Sequence, residues 1–144
     1  MKLQLSIFLT TSCLAAGSFG ADLRLGVIGT DTSHAVAFAD ALNDPAAAGH
    51  IPGARIVVAF KGGSPDIEES RTRVEKFAGE LRDKFGVRFV SRISEMCDAV
   101  DGILLESLDG RTHLAQMKEA VKCRKPIFGA PLLQRMLPDF SVRI

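Results

Sequence analysis

"LGVIGTDTSHAVAF", from Leu25 to Phe38, decides how the rest of the chain is read. Leu25 to Ile28 closes a short apolar run, Gly29 breaks it, and the residues that follow open a helical period. A strand that is apolar on both faces and runs straight into a helix belongs to a parallel sheet covered by helices. The turn between them holds one glycine, and Thr30, Asp31, Thr32, Ser33 and His34 complete it.

The same alternation continues outward from this stretch. Strands are expected at 23–28, 54–60, 87–90, 102–105 and 126–128, with helices at 33–43, 64–85, 94–100 and 112–123. In the first helix Val36, Ala37, Ala41 and Leu42 are expected to face the sheet. The second has the clearest signals: Ser64 as cap, Pro65 at its first position, Asp66, Glu68 and Glu69 at its positive end, and Gly86 as its stop. Its apolar stripe is Ile67, Val74, Phe77, Leu81 and Phe85. Five strands with right-handed helical crossovers make an α/β, doubly wound parallel sheet, whose ligands lie beyond the carboxyl ends of the strands.

Length and composition bound the function. A chain of 144 residues holds about one domain. Eighteen basic and 17 acidic residues leave a net charge of +1, without a block of like charge, so no nucleic-acid partner is expected. Tryptophan and tyrosine are absent, which removes the usual stacking platform for single strands or sugars. Residues 1–20 read as a signal peptide: Met1-Lys2, an acid-free apolar run, then Ser18 and Gly20 before Ala21. The run is shorter than a spanning helix, so the expectation is export to the periplasm or beyond, with no membrane association after cleavage. Cys13 would leave with that segment. Cys97 and Cys123 lack metal-like spacing and read as packing cysteines, with a disulfide as the alternative.

Four separated stretches share a pattern: "LRLGVIGTDTSH" at 23–34, "ARIVVAFKGG" at 54–63, "DGILLESLDGRTHLAQMKEAV" at 101–121 and "KPIF" at 125–128. Together they resemble the amino-terminal domain of the glucose-fructose oxidoreductase / inositol dehydrogenase (Gfo/Idh/MocA) family. The resemblance implies a Rossmann-like, NAD(P)-binding domain spanning 21–128. A second domain in the family holds a sugar or polyol that exchanges a hydride with the small-molecule cofactor. It also implies cofactor contacts from the turn Gly29, Thr30, Asp31, Thr32, Ser33 and His34, from Lys61, and from Glu106, Ser107 and His113.

The departures from that pattern bear on function. In Gly-x-Gly-x-x-Gly the second and third positions fall on Asp31 and His34, where glycines would admit the pyrophosphate and close helix packing. A carboxylate about 4 Å from a phosphate charge is repelled by about 4 kcal/mol at intermediate dielectric, and Asp31 is otherwise expected to cap the helix. Lys61 stands where a ribose-binding carboxylate is usual, which favours NADP over NAD. The family's acidic-Lys-Pro after the fifth strand is here Gly129-Ala130-Pro131, and no lysine follows Lys125. Residues 129–144 therefore read as an irregular tail, the chain as a fragment without its substrate domain, and no catalytic residue is assigned. The alternative is a non-enzymatic small-ligand or interaction module on a degenerate Rossmann fold. His34, His113, Asp31, Glu106 and Asp109 all sit near strand ends, but no ligand spacing supports a metal, and none is assigned.

Overall fold

The computed structural model of the protein describes residues 21–129. Its strands are β1 (Leu23–Ile28), β2 (Ala54–Phe60), β3 (Arg88–Val90), β4 (Gly102–Leu105) and β5 (Ile127–Gly129). The helices are α1 (Ser33–Asn43), α2 (Glu68–Phe85) and α3 (Gly110–Ala120), with 3-10 turns at Ile93–Met96 and Val121–Cys123. All pairings are parallel and the sheet order is β3-β2-β1-β4-β5. The chain moves outward from β1 to β3, returns across the sheet to β4, and continues to β5. The winding thus reverses between β1 and β4, the topological switch point of a doubly wound sheet.

Each face of the sheet has its own core. Val27, Ile56 and Ala59 pack with Ala35, Ala39, Leu81 and Val87 under α1 and α2. Ile28, Val58, Ile103 and Leu105 pack with Ile93, Met96, Val100, Met117 and Ala120 on the α3 side. Alternate residues of one strand enter opposite cores, which is why both faces of β1 and β2 are apolar.

Several expectations shift. The fully buried positions of α1 are Ala35 and Ala39, four apart, while Ala37 is exposed. The closest approach to the sheet selects the alanine pair, and Val36 and Leu42 flank it. Helix α2 begins at Glu68 rather than Ser64, because residues 64–67 form a turn in which the Ile67 amide donates to the Ser64 carbonyl at 3.1 Å. Gly86 stops α2 in the left-handed region, at φ 66°. The expected helix 94–100 is only the 3-10 turn Ile93–Met96, since so short a segment cannot offset the cost of nucleating an α-helix.

The cysteine expectation is corrected. Cys97 and Cys123 form a disulfide, with Cα atoms 4.8 Å apart. Cys97 follows the first 3-10 turn and Cys123 ends the second, and the β4 and α3 crossover brings the two turns together on one face of the sheet. No spacing in the sequence reveals that approach. The signal-peptide reading of residues 1–20 and the irregular-tail reading from residue 130 onward lie outside the described residues; Gly129 pairs with Leu105 in β5. No described helix is long and apolar enough to cross a membrane.

Candidate functional site

Three turns meet at the carboxyl ends of β1, β2 and β4. The Gly29 amide donates to the Phe60 carbonyl and the Thr30 amide to the Lys61 carbonyl, both at 2.9 Å, while the Glu106 amide donates to the Ile28 carbonyl at 2.7 Å. Thr30 Oγ1 also donates to the Lys61 carbonyl at 3.2 Å, so its buried side chain ties β1 to β2. Gly29 has φ 90°, and a Cβ there would collide with the Ser107 amide nitrogen and hydroxyl. Gly62, at φ 64°, closes against it from the other side: a Cβ on residue 62 would come 3.3 Å from the Gly29 Cα. The first glycine of the turn therefore gives β2 and β4 room to converge.

Asp31 does not cap α1. It is fully buried, accepts from Ser70 Oγ at 2.6 Å and accepts from the Leu108 amide at 3.1 Å. The hydroxyl of Ser70 in turn accepts from the Ser64 amide, and Ser64 Oγ donates to Asp109 Oδ2, each at 2.7 Å. Asp109 caps α3 by accepting from the Arg111 amide at 2.9 Å and takes both carboxylate oxygens to the Arg111 guanidinium. The Arg111 hydrogen bonds and the Ser64 hydroxyl hold the Asp109 carboxyl well below the usual range. Arg111 reaches on to Asp66 at 2.8 Å, so Asp66 bridges to α3 ahead of α2 instead of lying in its first turn. This chain of hydroxyls and carboxylates stitches the turns after β1, β2 and β4 into one wall. The charge of Asp31 is consumed inside that wall, because the amide and hydroxyl beside it need an acceptor.

The N-terminus of α1 differs. Thr32 is its cap residue by backbone position, yet its hydroxyl donates to the Glu106 carbonyl at 3.0 Å and makes no capping bond. The first turn of α1 contains no acid. Its leading amides therefore meet no side-chain acceptor, with Ser33 and His34 exposed at the opening. That is the arrangement that receives a phosphate or carboxylate. Glu106 lines the same opening, its Oε2 3.7 Å from His34 Nδ1.

Around the end of β4 and the first turns of α3 lie four buried polar atoms without partners: Glu106 Oε1, Ser107 Oγ, His113 Nδ1 and Gln116 Oε1. Their residues are at most 8% exposed. His113 Nε2 lies 2.7 Å from the Ser107 carbonyl and donates to it. Burial pushes the Glu106 carboxyl up, against the opposing influence of His34 and His113. Gln116 carries no sequence signal beyond its spacing of three from His113 on one helix face. Lys61 is turned away, its Nζ 2.7 Å from Glu75 on α2. Among the described residues no three His, Cys, Asp or Glu side chains gather as a metal set.

The structure thus brings Gly29, Thr30, Thr32, Ser33, His34, Glu106, Ser107 and His113 together at the carboxyl ends of β1 and β4, buries Asp31 among them and leaves Lys61 at the end of β2. A diphosphate needs donors of the kind that the leading amides of α1 present. The partnerless atoms beside it suit the hydrogen-bond donors of a ribose or carboxamide.

No family model and no curated protein matches the chain. Among solved structures it is similar to biliverdin reductase from Synechocystis sp. PCC 6803, crystallised with biliverdin and NADP+. The match has 19% identity and a TM-score of 0.50, and covers 76% of this chain. The chain spans 30% of that neighbour's length. The likeness is one of fold, and with the strand order it makes this a Rossmann-like α/β domain.

Proposed function

We propose that the protein is the NAD(P)-binding part of an exported oxidoreductase similar to the Gfo/Idh/MocA family, acting on a sugar or polyol. The observation that carries the dinucleotide reading is the uncapped, acid-free N-terminus of α1, set immediately after Gly29 at the switch point of the sheet. Thr32, Ser33 and His34 would hold the pyrophosphate there. Glu106, Ser107 and His113 would line the ribose and nicotinamide side. The cofactor, when bound, supplies hydride transfer; this domain contributes binding and orientation. Lys61 favours NADP, at the cost of releasing Glu75. Export is supported by the apolar leader at residues 1–20 and by the Cys97–Cys123 disulfide, a bond that persists in oxidising compartments.

Titrating the full chain into NADPH and NADH while following nicotinamide fluorescence tests the cofactor assignment. Micromolar affinity with NADPH the tighter ligand is expected. Absence of binding at millimolar cofactor would instead favour a non-redox module on the same scaffold, the reading to which Asp31 at the second-glycine position belongs. Expression behind its own leader should yield a mature chain whose mass begins at Ala21.

A further inference from the structure

Three carboxylates are buried at these strand ends among the described residues: Asp31, Glu106 and Asp109. Asp31 accepts from Ser70 and Leu108, and Asp109 from Ser64 and Arg111, so each has donors matched to its charge. Glu106 does not. Its Oε1 has no partner, and its Oε2 lies 3.7 Å from His34 Nδ1, beyond a good hydrogen bond. At the same end of the sheet Ser107 Oγ, His113 Nδ1 and Gln116 Oε1 are likewise buried without partners, and the Gln116 amide oxygen can only accept. A proton on Glu106 would change one acceptor into a donor in that setting. The same proton would remove a negative charge from beside the first turn of α1, where an anion is otherwise welcome.

We propose that binding of a diphosphate at the N-terminus of α1 takes up a proton on the Glu106 carboxylate, so that this residue ties ligand affinity to pH. The inference rests on the dinucleotide reading of the crevice. The step is a protonation alone: solvent supplies the proton, the carboxylate becomes a carboxyl group, and no bond to the ligand forms. Glu106 acts through the charge it presents to the amide site and is a positioning residue. The ionisable groups facing it are His34 from α1 and His113 from α3. Of the others nearby, Asp31 is held by Ser70 and Leu108, and Lys61 is paired with Glu75. Burial already disfavours the ionised form of Glu106, in the direction the coupling needs.

Calorimetric titration of the full chain with ADP-ribose, whose diphosphate stays ionised across the range, tests this in two buffers of different ionisation enthalpy. Wild type should show net proton uptake, and an affinity that falls about tenfold as pH rises through the titration of Glu106. His34→Gln should keep proton uptake, and adding Glu106→Gln in that background should abolish it while matching or exceeding the affinity of His34→Gln alone at the higher pH. Uptake that survives in the double variant, or vanishes in His34→Gln alone, overturns the proposal. Should the double variant fail to fold, buffer-independent heats in wild type overturn it equally. ADP-ribose that binds at no pH refutes the dinucleotide reading itself, whereas pH-independent binding removes only the role of Glu106.

Discussion

Gly29 and Glu106 are the two residues on which the crevice depends most directly, one for its shape and the other for its charge. Gly29 combines φ 90° with a missing side chain whose place Ser107 occupies. Gly29→Ala therefore imposes both backbone strain and a clash, and should cost about 2–4 kcal/mol, read as a lower urea midpoint at unchanged slope. Glu106 gives a pH effect of defined sign. Its folded carboxyl is raised, so its contribution to stability is complete below the unfolded pKa of about 4.3 and is lost as pH rises through the folded value. Glu106→Gln should remove that loss. The variant and wild type should differ little near pH 4, with the variant the more stable at neutral pH, as denaturant melts at a series of pH values would record.

At the scale of elements, the hydroxyl–carboxylate chain is what makes three separate turns one wall. Asp31 joins the turn after β1 to Ser70 of α2 and to Leu108 beyond β4. Asp31→Ala would leave a buried hydroxyl and a buried amide without an acceptor, and should cost about 3 kcal/mol; Ser70→Ala should cost about 1–2. Because the two share a bond, the double variant should cost less than the sum in a double-mutant cycle. Additive losses would show that the wall is not cooperative. The same network explains the late start of α2. Ser64 has the right residue type for a cap, but its hydroxyl is engaged by Asp109, forty-five positions away. Local capping rules assume that the side chain is free to serve its own helix, and here it serves another.

For the whole molecule, the Cys97–Cys123 disulfide closes a 26-residue separation across β4 and α3. Reducing it should lower stability by about 3.5 kcal/mol in the chain-entropy picture. The effect is measurable as the shift in denaturant midpoint with and without reductant. The mature chain from Ala21 contains two cysteines, so it should present no reactive thiol before reduction and two afterwards. Two reactive thiols in the oxidised protein would rule the disulfide out. The bond pins α3 and the turn after β3 to the same face, and α3 carries His113 and Gln116, so cofactor affinity should weaken on reduction along with stability.

The sequence by itself determined the alternation of strands and helices, the parallel sheet and the turn that begins at Gly29. These depend on short-range information: the period of apolar residues, the position of glycines and the order of elements, which right-handed crossovers convert into a doubly wound sheet. It placed the turn residues and the Glu106 to His113 segment at strand ends, where such a sheet binds its ligands. Only the tertiary structure decided what those residues do to one another. It turned Asp31 inward, left α1 uncapped, drew Ser64 away from α2, paired Cys97 with Cys123 and set Gln116 against Gly62. The physical reason is that each of these outcomes depends on which donor or acceptor a buried group meets. Those partners come from turns tens of residues apart, brought together when the sheet assembles.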